Sequence, residues 1–256
     1  MIITIANQKG GVGKTTSAIN IGAYLAKHNK KVLLVDLDPQ SNLTSSIGLR
    51  KEDKYLSIYD VIIGGEKIEK VFTSTNIPNL YIVPSNISLA GAEIELVSHM
   101  SRESKLKNAL YDFSKQYDFV IIDNPPSLGL LTVNALVASD SVFVPVQCEY
   151  YALEGISQLL KTIDMIKETL NPNLSLSGVI LTMYDQRTKI SRSVAKEIQS
   201  FFQDKTFDTI IPRNVRLSEA PSFCQTIYEY DPLSSGAKAY DKLVKEILLR
   251  YGNEKQ

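Results

Sequence analysis

The chain has 256 residues, 44% of them hydrophobic and 22% charged, and its 28 basic and 28 acidic side chains leave a formal net charge of zero. That length supports one substantial core, expected as a single domain over residues 1–256. Zero net charge excludes a global field drawing the molecule to nucleic acid, so any contact with a polyanion needs a local patch.

The first apolar run, residues 2–6, is a good buried strand, and residues 14–28 carry helical spacing with Ala18, Ile21, Gly22, Leu25 and Ala26 on one face. Between them stands Lys9-Gly10-Gly11-Val12-Gly13-Lys14-Thr15-Thr16. Strand, glycine loop and helix start form the context of a phosphate-binding loop. Its glycines let successive N–H groups turn onto a polyphosphate, Lys14 supplies charge near the terminal phosphates, and the Thr15 hydroxyl can ligate Mg²⁺. A nucleoside triphosphate is the expected ligand. Gln8 stands where the ordinary loop has its first glycine, and a second lysine, Lys9, precedes the paired glycines. Lys9 reads either as a solvated lysine at a loop edge or as a group reaching a partner subunit's phosphates, as an arginine finger does in trans.

The second strand, 31–36, runs into Asp36-Leu37-Asp38. Two acids at i and i+2 on a strand point the same way, here toward the mouth of the pocket. A hydrolase needs one carboxylate to hold the metal's water shell and another acceptor to orient the attacking water, although such a pair can also merely cap a loop. Residues 48–79 are the least regular, with a short helical pattern near 58–63, and a strand follows over 80–84. After a helix over 104–117, the strand 119–123 ends Ile121-Ile122-Asp123-Asn124-Pro125-Pro126. Four apolar residues followed by Asp make a Walker B element, and the proline pair stiffens a loop able to report the γ-phosphate.

A helix over 131–138, a strand over 141–147, a helix over 151–170, a strand over 177–182, a helix over 191–203 and a strand over 207–211 complete the alternation. The polar stretch 211–221 and a last helix over 234–250 close it. Several strands are nearly continuous Val, Ile and Leu, as where helices cover both sheet faces. The expected fold is α/β: one doubly wound, mostly parallel sheet with helices on both faces. Cys148 and Cys224 are isolated, which argues against a disulfide. Met1 leads straight into the first strand, so no signal peptide is expected, and no apolar run nears the roughly 18 residues of a membrane span. The chain is expected to be soluble and cytoplasmic. Basic residues concentrate in the last third, among them Arg187, Lys189, Arg192, Lys196, Arg213 and Arg216. Taken alone they are a solvated surface; doubled by a dimer, three or four per subunit would reach roughly six to eight phosphates.

The octapeptide at 9–16 resembles the deviant Walker A motif of the ParA/MinD family. Pro212-Arg213-Asn214-Val215-Arg216-Leu217-Ser218-Glu219-Ala220-Pro221, the 147–155 stretch and Leu89-Ala90-Gly91-Ala92-Glu93 extend the resemblance over essentially the whole chain. The chain looks like a small ParA/Soj-type partition ATPase, without the helix-turn-helix extension of larger plasmid versions. The resemblance implies ATP and Mg²⁺ as ligands, with nucleotide contacts from Lys9 through Thr16 (Gly10, Gly11, Val12, Gly13, Lys14 and Thr15 between them) and with Pro212 and Asn214 beside the adenine. It implies Lys9 serving the neighbouring monomer, Lys14 and Asp38 in hydrolysis, and Thr15, Asp36 and Asp123 at the metal. Arg187 and Arg216 would face DNA. The implied cycle is a homodimer sandwiching ATP, binding double-stranded DNA without sequence preference, and hydrolysing slowly until a ParB-like centromere-binding protein stimulates it. Chromosome or plasmid partitioning at the nucleoid follows, and no membrane is expected. Asn124 departs from the Cys, Thr or Ala that relatives usually carry there. The alternative is a MinD-like membrane-associated positioning ATPase, whose terminal amphipathic helix folds on lipid. Here the last helix has Tyr240, Leu243, Val244, Ile247, Leu248 and Tyr251 on one broad face, read more simply as core packing, and the tail 252–256 is polar. An amidoligase would need a substrate domain, and an iron–sulfur carrier more cysteines.

Overall fold

A computed structural model describes residues 1–49, 55–150 and 152–252. Its strands are β1 Ile2–Ile5, β2 Val32–Asp36, β3 Thr73–Ser74, β4 Leu80–Val83, β5 Phe119–Asp123, β6 Ser141–Gln147 and β7 Ser175–Thr182. They form one sheet in the order β3-β4-β2-β5-β1-β6-β7, parallel except for β3 against β4. The helices are α1 Lys14–Lys27, α2 Asn42–Ser46, α3 Ile58–Ile62, α4 Leu89–Leu96, α5 Lys105–Leu110, α6 Leu130–Ala138, α7 Glu154–Thr169, α8 Lys189–Phe202, α9 Val215–Glu219, α10 Ile227–Tyr230 and α11 Ser235–Tyr251.

Strand alternation sorts the core into two layers. Ile3, Ile5, Leu34, Ile121, Phe143 and Ile180 face α1 and α11, whereas Leu33, Val35, Val120 and Ile122 face α3 to α6. Val142, Val144, Val179 and Leu181 face α7 and α8. The apolar side of α11, with Tyr240, Leu243, Val244 and Ile247, lies inside the first layer, so core packing accounts for it. The polar tail at 253–256 lies outside the described residues. A Cβ at Gly22 would stand 2.7 Å from Leu34 Cδ2, so the glycine lets α1 seat closely on β2. That seating positions the loop in front of α1 at the carboxyl edge of the sheet.

Connections leave β1 and β6 in opposite directions, β1 to β2 across β5 and β6 to β7 outward, which opens a crevice at the carboxyl ends. Register brings Ile5 beside Asp123 and Asp123 beside Asp36, so three strand ends meet there.

Several expectations need correction. Residues 207–211 are not a strand: Phe207 and Ile211 donate to Val179 and Leu181 carbonyls of β7, but the intervening Asp208 and Thr209 N–H groups go to the Glu246 carboxylate on α11 at 2.8 and 3.1 Å. The expected helix over 104–117 breaks after Leu110 and resumes as a 3₁₀ turn, Phe113–Gln116, where Phe113 and Tyr117 stack with Phe72 and Tyr81. The α7 helix begins at Glu154, and the expected start at Tyr151 lies outside the described residues. The short α2, α9 and α10 and the weakly amphipathic α4, where Ile94 is exposed, carry too little periodicity to read from sequence.

Candidate functional site

The phosphate loop is held from both ends. Asn7, just past β1, donates from Nδ2 to the Pro145 carbonyl at 2.7 Å and accepts the Lys9 N–H on Oδ1 at 2.9 Å. At the far end the Thr182 hydroxyl donates to the Val12 carbonyl at 2.9 Å. Gly11 and Gly13 have φ of 72° and 91°, a region costly to any residue with a Cβ, and the turn they make points the first N–H groups of α1 into the crevice. The first turn of α1 carries no acidic side chain, which leaves its positive end available to an anion.

The two loop lysines behave differently. Lys14 is buried and folds back to donate to the Lys9 carbonyl at 3.2 Å. Burial lowers its pKa, against the opposing pull of Asp123 and Asp38. Lys9 is exposed and, among the described residues, has no ion pair; the space beside Gly10 and Gly11 is open. One lysine is buried in its own pocket, and the other is left exposed.

Asp123 is fully buried, and neither of its carboxylate oxygens has a formed hydrogen bond. Burial first, then the neighbouring Asp36, pushes its pKa well up, while Thr15 and Lys14 pull the other way. A hydrated divalent cation would satisfy both oxygens and offset that cost. Among the described residues no three His, Cys, Asp or Glu side chains are grouped to hold a metal by themselves. Asp123 and Thr15 are thus groups that would suit a hydrated Mg²⁺, an ion that keeps several of its waters.

Asp36 and Asp38 do not lie on one strand as expected, because β2 ends at Asp36. The Asp36 carboxylate is turned inward, accepting from Asp38 N at 3.1 Å, Thr44 N at 2.8 Å and Thr44 Oγ1 at 2.6 Å. Asp38 lies in the loop beyond, where its Oδ1 accepts from Gln40 N and its carbonyl from the Ser85 hydroxyl. Thr44 in turn accepts from Ser85 N. Asp36 thus fixes the loop that carries Asp38. Thr44 and Ser85 complete this network, and no sequence pattern singled them out.

Burial raises the Asp36 pKa from 3.8 to about 6, with the hydrogen bonds opposing it. Between those values the folded nucleotide-free protein holds more protons than the unfolded chain, so its stability rises as pH falls from 7 toward 4, by roughly 1–3 kcal/mol. Asp185, held down to about 2 by Arg187, subtracts stability only below that window. Urea unfolding at pH 7 and pH 5 checks this; a lower midpoint at pH 5 contradicts it.

Beside Thr16 a cleft of about 280 Å³ is lined by Thr182, Met183, Pro212, Asn214 and Leu217. Pro212 is a wall of it. The Asn214 side chain is already used: Oδ1 caps α9 through Arg216 N at 2.8 Å, and Nδ2 donates to Ser235 Oγ at 2.7 Å. It shapes the cleft by holding α9 to α11. Arg187 and Arg216 are surface groups in ion pairs, Arg187 bidentate with Asp185 and Arg216 with Glu219 and Asp231. Lys189, Arg192 and Lys196, at i, i+3 and i+7 on α8, are exposed and line a groove free of ion pairs to them among the described residues.

Residues 1–176 match the model of an AAA domain family. Over 246 residues, 96% of this chain and 97% of the other, the sequence is 54% identical to the sporulation initiation inhibitor protein Soj of Bacillus subtilis. Over 250 residues, 98% of each, it is 50% identical to the chromosome-partitioning ATPase Soj of Treponema pallidum. The chain belongs to the ParA/Soj family. The ParA/Soj fold extends to the solved structure of cobyrinic acid a,c-diamide synthase from Mycobacterium smegmatis with bound ATP analog and magnesium. That structure is 37% identical with a TM-score of 0.86, covering 99% of this chain and 96% of that one. That chain is matched over nearly its whole length, so a missing substrate domain does not separate the two. The higher identity to Soj proteins does. No helix among the described residues is long and apolar enough to cross a membrane.

Proposed function

We propose that this chain, acting as one domain over residues 1–256, is an ATP-hydrolysing partition protein whose nucleotide state switches dimerisation and DNA binding. The observation that carries it is the division of labour between the lysines: Lys14 is turned into its own pocket while Lys9, exposed and without an ion pair among the described residues, is available to a second subunit. Two monomers close face to face over their nucleotides, and the open space beside Gly10 and Gly11 admits the partner's backbone. Lys14 and the start of α1 hold the phosphates, Asp38 orients the attacking water, and Asp36 keeps the Asp38 loop in place. Asp123 and Thr15 would hold Mg²⁺, which when bound would supply charge to neutralise the phosphates. Loss of the γ-phosphate releases the loop after Asp123 and weakens the dimer.

The dimer binds duplex DNA through phosphates, using Arg187 and Arg216 together with the α8 cations, and without sequence preference, since phosphate contacts carry no sequence information. A ParB-like protein on centromere DNA stimulates the slow hydrolysis, and the chain works at the nucleoid in chromosome or plasmid partitioning. The relatives named as chromosome-partitioning proteins support this reading. Retention on random-sequence duplex DNA tests it, comparing no nucleotide, ADP–Mg²⁺ and ATP–Mg²⁺ over a salt series. Binding is expected with ATP only and falls steeply with salt, by about 10³-fold or more from 50 to 200 mM. No retention in any state refutes the DNA reading and sends the protein to liposomes.

A further inference from the structure

Asn124 stands in the loop after β5, and its surroundings give it a task. It is 1% exposed, and its Nδ2 donates across to β1, to the Ile5 carbonyl at 3.1 Å and to the Thr4 hydroxyl at 3.3 Å. Its Oδ1 is buried without a partner. Next to it, the Asp123 carbonyl accepts the Leu37 N–H at 2.9 Å, between the two acids of the Asp38 loop. Two residues beyond Ile5, Asn7 holds the Lys9 N–H. Residues 123 and 124 therefore join the proline loop after β5 to the Asp38 loop and to the end of β1, from which the chain runs through Asn7 into the phosphate loop.

We propose that Asn124 is a positioning residue that couples the loop after β5 to the phosphate loop, so that the γ-phosphate sets both together. The inference rests on the ATPase reading above. A side chain from a loop onto the last two residues of the neighbouring strand is a short lever, since any shift of residues 125–129 pulls on the strand end that feeds Lys9. The amide has two donor hydrogens, one for the Ile5 carbonyl and one for the Thr4 hydroxyl. The unpartnered Oδ1 adds a bias, because a buried acceptor without a donor disfavours the present loop position relative to one that supplies a donor.

The test is amide hydrogen exchange with ADP–Mg²⁺ and ATP–Mg²⁺, read together with steady-state ATP hydrolysis. In the parent, ATP protects residues 127–130 and 9–13 beyond what ADP does. In Asn124→Leu, of similar volume and without polar atoms, KM for ATP is expected within about twofold of the parent while kcat falls roughly 10- to 100-fold. The extra ATP protection of 9–13 is lost. Thr4→Val removes the other end of the same contact and is expected to reproduce the split more weakly, with Thr4→Ser restoring parental values. These β1 variants decide the matter should Asn124→Leu fail to fold. Parental kcat and parental ATP-specific protection in Asn124→Leu, or in a folded Thr4→Val, overturn the coupling. A parent that neither binds nor hydrolyses ATP overturns instead the ATPase reading on which it stands.

Discussion

Replacing Lys9 with alanine is expected to leave ATP binding within about threefold of the parent, a change under about 1 kcal/mol, while abolishing ATP-dependent dimerisation. The physical reason is the placement of the side chain. Lys9 is exposed and makes no ion pair among the described residues of its own subunit, so its removal takes no charge out of the monomer's pocket. Lys14 is buried on the Lys9 carbonyl, a backbone atom that alanine retains. A cation contributed across an interface to a triphosphate is worth about 10³-fold or more in rate, and partner-stimulated hydrolysis should fall by that order. Lys14→Ala differs in kind: it removes charge-assisted hydrogen bonds within the pocket and weakens ATP binding itself by roughly 10- to 100-fold. Light scattering after gel filtration with ATP–Mg²⁺, beside nucleotide titration of the monomer, separates the two. A Lys9→Ala protein that dimerises normally refutes the trans role.

Replacing Arg187 and Arg216 together with alanine is expected to abolish DNA retention at moderate salt and to spare ATP-dependent dimerisation. Each arginine is ion-paired, with Asp185 or with Glu219 and Asp231, but surface pairs in water are weak and a phosphate can displace them. A dimer carries each arginine twice, so the double variant neutralises about four fewer phosphates and the log–log salt slope becomes shallower by about 3.6. Replacing Lys189, Arg192 and Lys196 should flatten it further, since these cations bind without first releasing a carboxylate. Arg216 also lies on α9, whose neighbours Val215 and Leu217 line the cleft beside Thr16, so this surface adjoins the nucleotide. Loss of dimerisation together with DNA retention would sink the assignment.

What the amino-acid order alone determined is local and periodic. Glycines at 11 and 13 between an apolar strand and an amphipathic helix specify a phosphate loop because backbone freedom and helix polarity are properties of a few adjacent residues. Val, Ile and Leu runs specify the parallel sheet for the same reason, and they place Asp123 at the carboxyl end of such a run. Tertiary structure decided what depends on partners distant in sequence. Glu246 draws the N–H groups of residues 208 and 209 away from the sheet, so an apolar run that reads as a strand is not one. Thr44 turns Asp36 inward, Ser235 takes the side chain of Asn214, and Thr4 with Ile5 takes that of Asn124. A short sequence pattern states which side chain is present, but only the packed neighbours settle which hydrogen bonds it has left to offer a ligand.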